Sequence, residues 1–62
     1  MTYTVTVWKH KRQGLMQPNS ETSLTTSLDD AKEVVRAMRD GLPHGFMVEL
    51  SNGNTGRTIA VD

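Results

Sequence analysis

The sequence predicts an α+β fold, an antiparallel β-sheet of three to four strands with one helix packed on one face, in the order β(β)αββ. Three observations carry that expectation. Residues 2–8 alternate polar and apolar side chains, residues 28–42 repeat apolar side chains at spacings of three and four, and two further alternating runs, 46–50 and 57–61, flank a loop rich in Gly and Asn.

The first run is rich in β-branched residues, with Tyr3, Val5 and Val7 on one side of the pleat and Thr2, Thr4, Thr6 and Trp8 on the other. Gly, Pro, Asn and Ser at positions 13–20 predict a turn or loop, and residues 21–26 a second strand returning beside the first. Ser27 then stands where an N-cap hydroxyl accepts a backbone N–H, and Asp29 and Asp30 sit where the helix dipole favours negative charge. Leu28, Ala31, Val35, Met38 and Leu42 form one stripe, widened by Val34, while Lys32, Glu33, Arg36, Arg39 and Asp40 take the outer face. Gly41 is expected to supply a left-handed C-terminal cap, and Pro43 prevents the helix from resuming. Beyond it the two alternating runs predict a hairpin closed by residues 51–56, with Ile59 and Val61 inward. Tyr3, Val5, Val7, Phe46, Val48, Leu50, Ile59 and Val61 are then expected to meet the helix. The opposite sheet face is left with Thr4, Thr6, Trp8, Met47, Glu49, Thr58 and Ala60 and no element to cover it.

Sixty-two residues make a single domain, 1–62, because a chain this short buries about 60% of its unfolded surface and cannot divide that between two cores. With no Cys and two His, the chain offers no disulfide, no thiolate cluster and no metal shell, and no cofactor is expected. Seven basic residues balance seven acidic ones, so any attraction to nucleic acid is local. It concentrates at the N-terminal third, where Lys9, Lys11 and Arg12 stand without an acid before Glu21. No apolar run approaches the roughly 20 residues of a membrane span. The start lacks the pattern of a secretion signal, and the expectation is a cytoplasmic protein with no membrane partner.

The stretch VWKHKRQG, residues 7–14, is the main candidate site. If the first strand continues through it, Trp8, His10 and Arg12 share the uncovered face and Lys9 and Lys11 the other. Trp8 and Met47 on a bare face have the composition of a protein-docking site, with His10 and Arg12 as its rim. The competing reading is that the chain around Leu15 and Met16 folds back over Trp8. Lys9, His10, Lys11 and Arg12 beside an aromatic also fit phosphate contact and base stacking, and the plainer alternative for such a run is protection of a strand end. A second copy of the chain is a third partner, joined through the edge of the first strand or through the bare face. His44, between Pro43 and Gly45, has no nucleophile or carboxylate at local spacing and reads as a turn residue. Gly53 and Gly56 lack the Lys and the strand-to-helix setting of a phosphate loop. These residues predict a binding protein and not an enzyme.

The helix start Ser27-Leu28-Asp29-Asp30-Ala31-Lys32, followed by His44-Gly45-Phe46-Met47-Val48-Glu49-Leu50 and a hairpin, resembles a class of very small phage-encoded proteins that includes anti-CRISPR proteins. The resemblance spans residues 22–62 in element order, with S-L-x-x-A-K as its motif. It implies a noncatalytic inhibitor in the cytoplasm of a bacterial host, occupying a surface of a larger host protein or ribonucleoprotein. It carries no binding residue across.

Overall fold

The β-branched alternation at the N-terminus forms β1 (Thr2–His10), and in the computed structural model, which describes residues 1–10 and 16–62, this strand lies inside the sheet. Four more elements follow it: β2 (Met16–Thr25), α1 (Leu28–Asp40), β3 (Phe46–Asn52) and β4 (Thr58–Val61). The antiparallel sheet has the order β2-β1-β3-β4, and α1 packs on one face. The expected α+β fold is therefore present with its full set of four strands. Because β1 pairs on both sides, its edges are filled, and a second copy cannot join through them as the sequence reading allowed.

Hydrogen bonds around β1 alternate in direction. Gly53 N–H donates to the Thr2 carbonyl at 2.9 Å and His10 N–H to the Gly45 carbonyl at 2.8 Å, so the even positions of β1 bond toward β3. Thr26 N–H donates to the Met1 carbonyl at 3.2 Å, so the odd positions bond toward β2. The same pleat sends Tyr3, Val5 and Val7 to the helix side, where they are buried with Val48, Leu50, Ala31 and Val35. Leu24, Met38, Leu42, Phe46 and Ala60 pack around that cluster.

The second strand is longer than expected. Met16, Gln17, Pro18 and Ser20, read as loop with Asn19 between them, pair with β1, and the register shifts by one residue between Val7 and Trp8, leaving Asn19 as the extra residue. Pro18 stands opposite Trp8, whose backbone bonds the other way, toward β3. The missing N–H of Pro18 thus faces the open side of the sheet and costs no ladder bond.

Ser27 caps α1 as expected, accepting the Asp30 N–H at 3.2 Å. Two expectations for the helix are corrected. Leu28 is exposed, because the stripe meets the sheet only from Ala31 onward. Gly41 is right-handed, with φ −85° and ψ −4°. Its N–H bonds to the Met38 carbonyl at 3.2 Å, a tightened last turn that closes the helix without a left-handed residue before Pro43. The left-handed glycine of this connection is Gly45, at φ 93°.

In β4 the expected faces of Ala60 and Val61 are exchanged, while Thr58 keeps the outer face opposite Ser51. The register shifts by one residue between Leu50 and Ser51, so Ala60 pairs with Leu50 and points to the core, while Val61 pairs with Glu49 on the opposite face. Ile59 is 39% exposed and Val61 55%. A one-residue bulge exchanges the faces of the side chains beyond it. Ala60→Asp is expected to cost about 2–3 kcal/mol by placing a carboxylate against the core, and Ile59→Thr within about 0.5 kcal/mol. Urea denaturation of the two variants reads this directly, and the reverse order would show that Ile59 points inward.

The hairpin loop is held by Asn52, whose Oδ1 accepts the N–H of Asn54 at 2.8 Å and of Thr55 at 3.1 Å. Gly53 packs on β1: a Cβ there would lie 2.9 Å from Thr2 Cγ2 and 3.0 Å from the Thr2 carbonyl oxygen. Gly53→Ala is expected to lower the unfolding free energy by about 1–3 kcal/mol through this overlap, and an unchanged urea midpoint would show that Thr2 yields freely.

Candidate functional site

The sheet face opposite α1 is organised in rows, because antiparallel pairing sets residues of three strands side by side. Pro18, Trp8 and Met47 form one row across β2, β1 and β3. Next to it, Glu21, Thr6, Glu49 and Val61 cross all four strands. A third row carries hydroxyls: Ser23, Thr4, Ser51 and Thr58. An apolar band thus borders a pair of carboxylates, and beyond them the face is neutral and polar.

Trp8 is half-buried, although no helix or loop of the described residues lies over it. Its indole Nε1–H donates to Glu49 Oε1 at 2.9 Å, a diagonal reach from its own row to the next. The other carboxylate oxygen of Glu49 accepts the Thr58 hydroxyl. One side chain on β3 therefore ties β1 to β4 across the outer face. The lean of the indole toward Glu49, which stands directly opposite Thr6, accounts for Thr6 being only 4% exposed on a face that no other element of the described residues covers. Ser51 is also closed off, its hydroxyl donating to the Thr4 carbonyl at 3.3 Å. The face is lined at its centre by its own side chains; in the apolar row Trp8 and Met47 are half-buried and Pro18 is exposed, and Val61 is exposed at the far edge.

The sequence-predicted residues fall as follows. Trp8, His10 and Met47 share this face, as alternation required. Lys9 lies on the helix side, its Nζ 5.9 Å from the centre of the Phe46 ring, the residue it pairs with on β3. That distance is at the outer limit of a cation–π contact, worth about 0.5–1 kcal/mol at an exposed site. Lys11, Arg12 and Leu15 lie outside the described residues. Met16 pairs with His10 at the start of β2 and does not fold back over Trp8. His44 is an exposed turn residue.

Sequence reasoning missed Glu49 as the partner of Trp8, and Pro18 and Glu21 as neighbours on its face. Alternation alone puts Glu49 and Trp8 on one side. Their contact needs the pairing Thr6 with Glu49, which the sequence does not state.

Among the described residues no group of three or more His, Cys, Asp or Glu side chains could hold a metal ion. No helix among them is long and apolar enough to cross a membrane. A recess of about 140 Å³ opens between α1 and β4, with Val35, Leu50 and Ala60 among its lining and Lys32 and Arg36 from the helix. It is smaller than the roughly 300 Å³ at which small-molecule sites begin. No protein family, curated protein or solved structure matches this chain.

Glu49→Ala removes the acceptor of two cross-strand bonds. The expected loss is about 1–2 kcal/mol of stability, with a shift of the Trp8 indole N–H resonance that Glu21→Ala does not reproduce. An unmoved indole resonance would show that the bond to Glu49 does not persist in solution.

Proposed function

We propose that this protein is a small noncatalytic binding module that docks on a larger protein through the sheet face opposite α1. The observation that carries this reading is the Pro18, Trp8, Met47 row: two large apolar side chains and a proline ring aligned across the face that the helix leaves free. Aromatic residues and Met are enriched where proteins meet, and a Trp anchored by its own hydrogen bond loses little entropy on binding. Glu21 and Glu49 in the adjacent row define the partner's chemistry. It is a surface with an apolar side chain to seat against Trp8 and Met47, bordered by Lys or Arg.

Occupation of such a surface on a host protein or ribonucleoprotein would block it. That inhibitory role is the version of this reading implied by the resemblance to small phage-encoded proteins.

Direct contact with nucleic acid through Lys9, His10, Lys11 and Arg12 is less well supported. Lys9 is on the helix side over Phe46, and among the described residues the charged side chains in the row beside Trp8 are carboxylates, which repel phosphate.

Two measurements test the proposal. Double-stranded DNA and single-stranded RNA titrated at physiological salt are expected to leave Trp8 emission unchanged, and saturable, salt-sensitive quenching would replace the protein reading with the nucleic-acid one. A photo-crosslinking residue at position 47 is expected to capture one protein partner saturably. Trp8→Ala should weaken that partner at least tenfold, about 1.4 kcal/mol. A partner bound equally by wild type, Trp8→Ala and Met47→Ala would place the docking site elsewhere.

A further inference from the structure

Among the described residues nothing pairs with the outer edge of β2, and we propose that residues 21–25 pair antiparallel with the same residues of a second copy of the chain, centred on Ser23. This inference is independent of the docking face. It rests on hydrogen-bond direction, on what guards the edge and what does not, and on the position of a single charge.

Direction comes first. Since Thr26 bonds to Met1, the bonded pairs between β1 and β2 continue at Tyr3 with Leu24, Val5 with Thr22 and Val7 with Ser20. Glu21, Ser23 and Thr25 fall in the alternate pairs, so their N–H and C=O groups point away from β1. All three residues are exposed. They form a row of unpaired donors and acceptors, which is the template for adding a strand.

Natural sheets guard such edges with Pro, bulges, Lys or very short strands. Here the guards sit in the first half of β2. Pro18 turns its missing N–H outward, and the register shift lies beside it. Residues 20–25, Ser-Glu-Thr-Ser-Leu-Thr, have no Pro, no Lys and no bulge. The opposite edge of the sheet, β4, is only 4 residues long.

Self-pairing then has few registers open to it. A two-fold axis perpendicular to the sheet keeps each face with itself, so the axis must pass through a residue paired with its own copy. Centring on Glu21 would set two carboxylates against each other. Centring on Thr22 or Leu24 leaves only two outward pairs within residues 20–25, Glu21 with Ser23 or Ser23 with Thr25. Centring nearer the N-terminus would run Pro18 and the bulge into the new ladder. Centring on Ser23 matches Ser23 with itself and Glu21 with Thr25 of the second copy, twice. Three outward pairs then form about six backbone hydrogen bonds. The one charge of the segment meets a hydroxyl, and Thr22 meets Leu24 on the helix side. The result is one continuous sheet with both helices on the same side, and both Trp8 rows presented together on the other.

Sedimentation velocity from micromolar to millimolar protein tests the pairing. Wild type is expected to shift from monomer to dimer mass with concentration. Ser23→Pro removes an N–H that bonds to nothing within the monomer, as Pro18 already does, and is expected to weaken the dimer at least tenfold. Thr25→Lys, facing Glu21 across the axis, should tighten it several-fold, and Thr25→Glu should weaken it several-fold. Circular dichroism establishes that each variant is folded. Monomer mass across the whole range overturns the proposal, as does a dimer unaffected by Ser23→Pro or shifted the same way by Thr25→Lys and Thr25→Glu.

Discussion

Pairing of β1 on both sides is the constraint on which the rest of this structure depends. A strand with neighbours left and right sends alternate backbone groups to each, and its side chains to alternate faces, with no freedom to slip. Tyr3, Val5 and Val7 are thereby committed to the core, where their burial with Val48 and Leu50 supplies much of the hydrophobic drive. Thr4, Thr6 and Trp8 are committed to the other face by the same step. A core this small has few side chains to spare, and the cross-strand bonds of Glu49 add a polar tie on the outer face that the core does not provide.

The two ends of the sheet follow from the central strand. On one side, β3 carries α1 above it and Glu49 below it, and β4 closes the edge with a short strand. On the other side, β2 follows β1 for 10 residues, but the helix is centred elsewhere and leaves most of β2 exposed on both faces. Polar side chains make that exposure tolerable, since Ser, Thr and Asn lose little by staying in water. The molecule is therefore asymmetric, with packing at the β3 side, a free backbone edge at the β2 side, and the Trp8 row between them on the outer face.

Much of the fold was legible in the residues. The alternation of residues 2–8, the Ser27 cap, the stripe through Ala31, Val35 and Met38, and the hairpin around Asn52 each have one physical reading, and each is found where expected. The misses share a cause. Residues 16–20 carry loop composition, yet an edge position removes the penalty on Pro18. Ile59 and Val61 are more hydrophobic than Ala60, yet a one-residue bulge turns Ala60 inward. Gly41 has the composition of a left-handed cap, yet the last turn tightens without one. In all three, composition describes what a residue prefers alone, while pairing with a distant strand or the preceding turn fixes where it goes.

The candidate site divides along the same line. The sequence by itself determined that Trp8, His10 and Met47 share a face and that a single helix leaves this face free, because the period of a strand is a local property of the chain. Which side chains surround Trp8 was decided by tertiary structure alone. Pro18 and Met47 flank it, and Glu49 holds its indole, through registers that join residues 10 to 41 positions apart. Register is set by the burial of whole strands against one another and by where bulges fall, and neither quantity belongs to any one segment of the sequence.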